Sequence, residues 1–180
     1  MKSPAGSNEQ AVLLKRLRLW LMLFVIGLVL SGLTAFPLPA EVDLLARWLG
    51  AADVSSPSDY SGLLGWIVRV REALRETDAR FPFLAYGTDW LAFAHLVIAI
   101  AFIGVLRDPA RNIWILEWAM IACVAIIPTA LICGAIRGIP LGWRLVDCSF
   151  GVVGIVPLWL CRNCARKLCA LDKRFSPNSV

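Results

Sequence analysis

The sequence predicts an all-α, polytopic membrane protein: an antiparallel bundle of four transmembrane helices with a helical extracytoplasmic loop. Of its 180 residues, 59% are hydrophobic and only 17% are charged, and the mean hydropathy is +0.71. The apolar residues lie in long blocks that carry almost no charge, a pattern typical of membrane spans and not of soluble domains. Short connections between the last three blocks favour antiparallel neighbours. We therefore treat residues 1–180 as a single membrane domain.

The four spans are predicted at about residues 19–38, 90–106, 112–136 and 145–161. As a helix, the twenty uncharged residues of the first span extend about 30 Å, which matches the hydrocarbon core. A cleavable signal peptide is the alternative here, because basic residues precede the segment and Ala40 lies before Glu41. The apolar part of a signal peptide is usually about 7–15 residues long, so a retained helix is favoured.

Basic residues near the span ends predict the orientation, because cytoplasmic flanks carry an excess of Lys and Arg. With four spans both termini share a side. Eleven of the eighteen basic residues fall there, in the N-terminal segment, the turn at 107–111 and the cytoplasmic tail at 162–180. We expect a plasma-membrane protein of the bacterial inner-membrane type with both termini cytoplasmic. This topology accounts for the net charge of +5. We therefore expect the lipid bilayer as a partner and expect no nucleic-acid partner.

Residues 39–89 form the predicted extracytoplasmic loop, in which two amphipathic helices are expected. Apolar residues recur at three- and four-residue spacing over 59–77, and again over 41–49 before Gly50, a residue that favours a helix C-cap. Residues 51–58 are expected to link the two helices. The loop either packs on the mouth of the bundle, lies among lipid headgroups, or offers a docking surface to a protein partner.

A group of polar residues is predicted to meet in the extracytoplasmic third of the bundle: Asp89, His95, Arg137, Arg144 and Asp147. Ionisable groups are costly inside a membrane and often mark a site. One interpretation is a ligand-binding site for an anionic or polar molecule, with Arg137 or Arg144 as charge partner and His95 as donor or proton carrier. The other is structural: Asp147 pairs with an arginine, and His95 bonds to a helix carbonyl or to Thr88.

Glu117 is an intramembrane acid on the cytoplasmic side of the third span. Its expected partner is a nearby basic residue: Arg107, Arg111 or Arg18. A proton or ion path from Glu117 to His95 would need polar groups between them, and the third span supplies mainly Thr129. A proton- or ion-coupled carrier is therefore the weaker functional hypothesis.

Cys161 and Cys164 form a CxxC at the end of the fourth span. Basic neighbours make them candidate redox thiols, although the βαβ context of thioredoxin chemistry is missing. The alternative is a pair of ordinary reduced cysteines at a cytoplasmic helix end. Three cysteines in this region fall short of the four ligands of structural zinc, so no metal is predicted. No cofactor is predicted either; haem is left open but disfavoured, because a single histidine cannot supply two axial ligands.

The sequence contains none of the GxGxxG, P-loop, HExxH and GxSxG motifs, so it indicates no standard nucleotide, metalloprotease or hydrolase chemistry. Enzyme activity is uncertain and not favoured. The favoured function is that of an integral plasma-membrane protein with a non-enzymatic binding, assembly or accessory role. The rival hypothesis is a small membrane oxidoreductase component that uses His95 or the tail thiols.

Overall fold

The computed structural model of the protein describes the backbone of residues 4–51 and 61–175. These residues form six α-helices and one short 3-10 helix. Within this part of the chain, four helices are long and apolar enough to cross a membrane. The prediction of an all-helical protein with four candidate spans is thereby confirmed. Apart from Ala51, the linker predicted at 51–58 lies outside the described residues.

The helices, numbered in chain order, are α1 (Pro4–Ala35), α2 (Leu38–Trp48), α3 (Gly62–Arg80), α4 (Tyr86–Arg107), α5 (Ile113–Ile136) and α6 (Leu141–Phe175). The 3-10 helix Pro82–Ala85 leads into α4. The candidate spans are α1, α4, α5 and α6. Both α1 and α6 extend well beyond their apolar stretches, since Lys and Arg are good helix formers whose charged ends reach water from the helix surface.

The four long helices pack in the order α4, α1, α6, α5, and α4 makes little contact with α5. The fully buried side chains concentrate where α4 turns into α5: Leu17, Leu21, Phe102, Leu116 and Leu158. We call this end of the bundle, with the connection at 108–112, the turn end. The opposite end, where α1 finishes and α4 begins, is called the loop end. The core is therefore densest at the turn end.

The connection between α4 and α5 is held by its own polar side chains. The carboxylate of Asp108 accepts a hydrogen bond from the backbone N–H of Arg111 at 3.0 Å. The side-chain amide of Asn112 donates to the carbonyls of Gly104 at 3.0 Å and Asp108 at 2.9 Å. Asp and Asn favour such local bonds to the backbone, which is why this segment forms a tight turn.

The two shorter helices, α2 and α3, pack on each other around a small apolar cluster. Ala46 of α2 and Ile67 and Val68 of α3 are buried in it, and Trp143 near the start of α6 packs against them. This contact fastens the α2–α3 layer to the loop end of the bundle. The layer therefore has a core of its own, separate from that of the four long helices.

A charged group joins α2 to α3. Asp43 binds Arg47 at 2.7 Å and also pairs with Arg75, while Arg71, only 2% exposed, donates to the carbonyl of Ala51 at 2.8 Å. Burial opposes the ionisation of Asp43, but the hydrogen bond from Arg47 and the charges of Arg75, Arg47 and Arg71 outweigh it. The pKa of Asp43 is therefore lowered from its ordinary value of 3.8.

Candidate functional site

A groove of about 950 Å³ runs among α1, α4, α5 and α6. Pockets that hold small molecules are about 300–1,000 Å³ in volume and mostly apolar, and this groove has both properties. Phe24, Leu28 and Ile98 are typical of its wall. The weak contact between α4 and α5 lets these two helices flank the groove without closing it. Its volume and lining therefore fall within the range of such pockets.

The groove is elongated along the helices. On α1 its lining spans eleven residue-to-residue steps, from Trp20 to Ser31, and on α6 ten steps, from Asp147 to Pro157. At a rise of about 1.5 Å per step these stretches measure about 15–17 Å. That is about half of the 30 Å hydrocarbon thickness of a bilayer. The shape suits an extended hydrocarbon chain.

The polar residues of the groove lie towards its loop end. Ser31, His95 and Asp147 line it there, whereas Trp20 and Trp118 line it nearer the turn end. One end of the groove therefore offers hydrogen-bonding groups, and the rest offers apolar surface.

Gly32 brings α1 and α4 together beside this polar end. A Cβ atom on Gly32 would lie 2.7 Å from the Cβ of His95 and 3.2 Å from the carbonyl oxygen of Ala92. No side chain fits in that space, so the helices approach this closely only because position 32 is glycine. The position of His95 at the groove depends on this contact.

The ring of His95 is oriented by its own helix. Its Nδ1 lies 2.8 Å from the carbonyl oxygen of Leu91. A carbonyl only accepts hydrogen bonds, so Nδ1 carries the hydrogen and donates it. In the neutral imidazole, Nε2 is then an acceptor, and we assign the tautomer from this bond. His95 therefore brings an acceptor to the polar end of the groove.

Asp147 and Arg144, although close in sequence, have different surroundings. One guanidinium N–H of Arg144 donates to the carbonyl of Leu131 on α5 at 3.2 Å, and its methylene stem lies against Gly134, whose Cβ would meet the Arg144 Cδ at 2.6 Å. Asp147 lines the groove instead, and within the described residues no side chain hydrogen-bonds or ion-pairs with it. The carboxyl group of Asp147 is therefore available to a ligand.

Of the five residues predicted to form the extracytoplasmic polar group, the structure brings His95 and Asp147 to the groove. Arg144 contacts α5 as described. Asp89 lies in the first turn of α4 and Arg137 is exposed directly after α5; neither lines the groove. A ligand site made of all five remains a prediction, whereas a smaller set of two shares one cavity.

Glu117 lies at the turn end, between α5 and α6. One of its carboxylate oxygens binds Arg162 at 2.8 Å and Arg166 at 3.2 Å. The sequence suggested Arg107, Arg111 or Arg18 as partners. Both actual partners come instead from the helical continuation of α6, which the sequence interpretation treated as a tail. Glu117 thus joins two helices.

The cysteines of the CxxC differ in their surroundings. Cys161 is buried and its thiol donates to the carbonyl of Leu17 at 3.4 Å, while Cys164 is partly exposed. All six cysteines are free thiols. Among the described residues, no group of three or more His, Cys, Asp or Glu side chains could hold a metal ion. The contact of Cys161 links α6 to α1.

Neither the groove nor the close contact at Gly32 was predicted from the sequence. Gly32 permits the contact with α4, and a Cβ on Gly27, which lines the groove, would have nothing within 4 Å. The available signal was the spacing of Gly27 and Ser31, which indicates close helix contacts and not an open space. Comparison of the chain with protein-family models, with curated proteins and with solved structures found no match.

Proposed function

We propose that the protein is a non-enzymatic membrane protein that binds an amphiphilic molecule in the groove. The observation that supports this is a cavity of about 950 Å³ with an apolar wall and with His95 and Asp147 at one end. Ligand sites typically combine a largely apolar lining with a few placed polar groups. The chain of an amphiphile would occupy the apolar part, and its head group would lie beside His95 and Asp147.

The membrane arrangement we propose is an antiparallel four-span bundle in a plasma membrane of the bacterial inner-membrane type. The turn end and both termini would be cytoplasmic, and α2 and α3 would lie on the extracytoplasmic side. The clustering of Arg162 and Arg166 at the turn end supports this orientation, since cytoplasmic flanks are rich in basic residues. Green fluorescent protein fused after Val180 should fluoresce if the C-terminus is cytoplasmic; a dark, fully expressed fusion would contradict the orientation.

The groove can be tested by filling it. Gly27→Leu places a side chain where a Cβ now meets nothing within 4 Å, so the helix should tolerate the change while the groove loses volume. We expect the number of phospholipids retained through mild-detergent purification, counted by native mass spectrometry, to fall below that of the wild type.

Gly87→Leu is the matched control, because Gly87 also has nothing within 4 Å of its Cβ and does not line the groove. It should retain lipid like the wild type. If Gly27→Leu retains as much lipid and binds an added amphiphile as well as Gly87→Leu does, with equal thermal stability, the proposed function is wrong.

The α2–α3 layer suggests a second role, which is contact with the membrane–water interface or with a protein partner. Trp48 of α2 is 78% exposed, and the neighbouring Leu44 and Leu49 are exposed as well. Tryptophan with leucine on one helix face is typical of the headgroup region, where the ring lies between lipid and water. We therefore propose that this face of α2 rests in the interface and that a protein partner, if one binds residues 39–89, competes with lipid there.

Quenching by lipids brominated near the headgroup tests this second role. Trp48→Phe should remove part of the tryptophan fluorescence that such lipids quench in reconstituted protein. Unchanged quenching would place Trp48 away from the interface and leave the face open to a protein partner.

A further inference from the structure

Three polar side chains lie at the head of the groove, those of Ser31, His95 and Asp147. The Ser31 hydroxyl both donates and accepts, whereas His95 and Asp147 share one hydrogen-bonding kind. In the neutral imidazole, Nε2 of His95 is an acceptor, because Nδ1 donates its hydrogen to the carbonyl of Leu91 at 2.8 Å. In its ionised form, the carboxyl group of Asp147 offers acceptors only. These two acceptors, on His95 and Asp147, therefore match a ligand whose head group donates hydrogen bonds.

The basic residues nearest in sequence do not supply those donors. Arg144 does not line the groove and donates to the carbonyl of Leu131. Arg137 is exposed after the end of α5 and does not line the groove either. Within the described residues, no side chain pairs with the carboxyl group of Asp147, which leaves it for a group from outside the chain.

We infer that the groove selects an amphiphile with a protonated amine as its head group, either an aminophospholipid or a free long-chain amine. This inference rests on the proposed ligand groove. An ammonium group has three donors and no acceptor, and its hydrogen bonds to a carboxylate are charge-assisted and strong in a weakly polar medium. The apolar wall takes the hydrocarbon chain, and Asp147 and His95 take the ammonium.

Other head groups match the site less well. Quinone carbonyls, phosphates and carboxylates present acceptors, which would face the acceptors of Asp147 and His95 without a hydrogen between them. A buried polar group that lacks its partner is destabilising, so a site of this kind discriminates strongly between donors and acceptors. The anionic ligand considered from sequence is therefore disfavoured once Arg144 is seen to contact α5.

The test uses three probes with the same twelve-carbon chain in phosphatidylcholine nanodiscs: dodecylamine, dodecyltrimethylammonium and dodecanoate. Binding is followed through the fluorescence of Trp20 and Trp118, which line the groove. Dodecylamine should bind about tenfold or more tighter than dodecanoate, as expected for one charge-assisted hydrogen bond. Dodecyltrimethylammonium should fall between them, because it has the charge but no N–H. Equal binding of the three would overturn the inference.

Asp147→Asn should remove most of the preference for dodecylamine, and His95→Phe should reduce it by removing Nε2. The matched control is Glu76→Gln, the same carboxylate-to-amide change on α3, where the side chains of Glu76 and Arg80 are 68% and 69% exposed. It should leave all three affinities unchanged. An amine preference that survives Asp147→Asn would refute the role given to Asp147.

Two further experiments distinguish failure of the groove proposal from failure of the amine inference, and an aminophospholipid ligand from a free amine. If Gly27→Leu leaves the binding of every probe unchanged, the groove proposal itself falls. If it weakens all three while Asp147→Asn changes nothing, the groove stands and the amine inference falls. Adding phosphatidylethanolamine to the nanodiscs should compete with dodecylamine if an aminophospholipid is the ligand; absence of competition with intact amine preference supports a free long-chain amine.

Discussion

The two ends of the bundle use polar side chains in different ways. At the turn end, polar groups connect different helices: Glu117 of α5 binds Arg162 of α6 at 2.8 Å, and Cys161 of α6 donates to Leu17 of α1. At the loop end, most of them bond within their own helix. His95 binds Leu91, and Ser149 donates to the carbonyl of Val146.

This difference decides which helices stay together. A polar group inside a membrane must be satisfied, and a bond to a carbonyl of the same helix satisfies it without holding a second helix. Arg144 and Cys148 are exceptions at the loop end, because each donates from α6 to a carbonyl of α5. Helix α4 has no comparable tie to α5 among the described side-chain bonds of its loop half, and the groove lies between these helices. Polar residues thus permit an open site at one end and close the core at the other.

The largest effect is expected from a cavity in the turn-end core. Leu17 is fully buried, so Leu17→Ala should lower the free energy of unfolding by about 2 kcal/mol or more. Leu30→Ala, on the same helix but 56% exposed, should change it by less than about 0.5 kcal/mol. Thermal unfolding in one detergent measures both, and equal losses would mean that the turn end has no special packing.

The next effect concerns the close contact at the loop end. Gly32→Ala should cost about 1–3 kcal/mol, since the new methyl group would overlap His95 and Ala92. Gly27→Ala, where the methyl group has nothing within 4 Å, should instead stabilise α1 by about 0.5–1 kcal/mol through helix propensity. The same unfolding experiment applies. A stabilising Gly32→Ala would show that α1 and α4 are not in contact there.

A smaller effect is expected at the charged group of the turn end. Glu117→Gln should lower the melting temperature more than Glu76→Gln does, because Glu117 joins α5 to α6 and Glu76 binds only within α3. The double variant Glu117→Gln, Arg162→Gln should lose less than the sum of the single losses, as for any coupled pair. Strict additivity would argue that the pair does not hold the helices together.

The smallest effect is a pH dependence of the α2–α3 layer. The pKa of Asp43 is lowered in the folded protein, so its contribution to stability is fully present above the ordinary value of 3.8. That contribution is lost as the pH falls through the lower, folded-state value. Hydrogen exchange of residues 38–48, corrected for its intrinsic pH dependence, should therefore accelerate only below about pH 4. Asp43→Asn should show faster exchange at neutral pH and no such acceleration.

The four long helices were predictable because hydropathy and length dominate in a membrane. A run of about twenty apolar residues has few alternatives to a spanning helix. The limits of α1 and α6 were not predictable from the same rule. Basic residues mark the end of the apolar stretch, but they do not end the helix. That extension is what brings Arg162 and Arg166 to Glu117, a partnership that sequence distance alone did not indicate.

Within the α2–α3 layer, the face that α3 buries was predicted only in part. The apolar residues that recur over 59–77 include Leu63 and Ile67; Ile67 is buried, but Leu63 is exposed. The buried face instead includes Arg71, whose guanidinium reaches the carbonyl of Ala51. A periodicity argument treats arginine as polar and therefore predicts that its side chain is exposed. Arg71 is buried instead, because its guanidinium supplies the hydrogen bond that the carbonyl of Ala51 needs.

The candidate site was the least predictable part. Sequence placed His95 and Asp147 at a similar depth, because both lie near the loop-side ends of their spans. It could not show that Arg144 contacts α5, since that depends on the space left by Gly134. The cavity depends on how closely four different helices pack against one another, and the sequence of one helix does not determine that.

The groove is open along its side, where Phe150 and Val153 line it and are 64% and 69% exposed. In a bilayer such surface faces lipid tails, so a ligand would enter by lateral diffusion and not from water. Occupancy would then follow the mole fraction of the ligand in the membrane, and an aqueous dissociation constant would mix true affinity with partitioning. A change in lipid composition alone could therefore fill or empty the protein at constant expression.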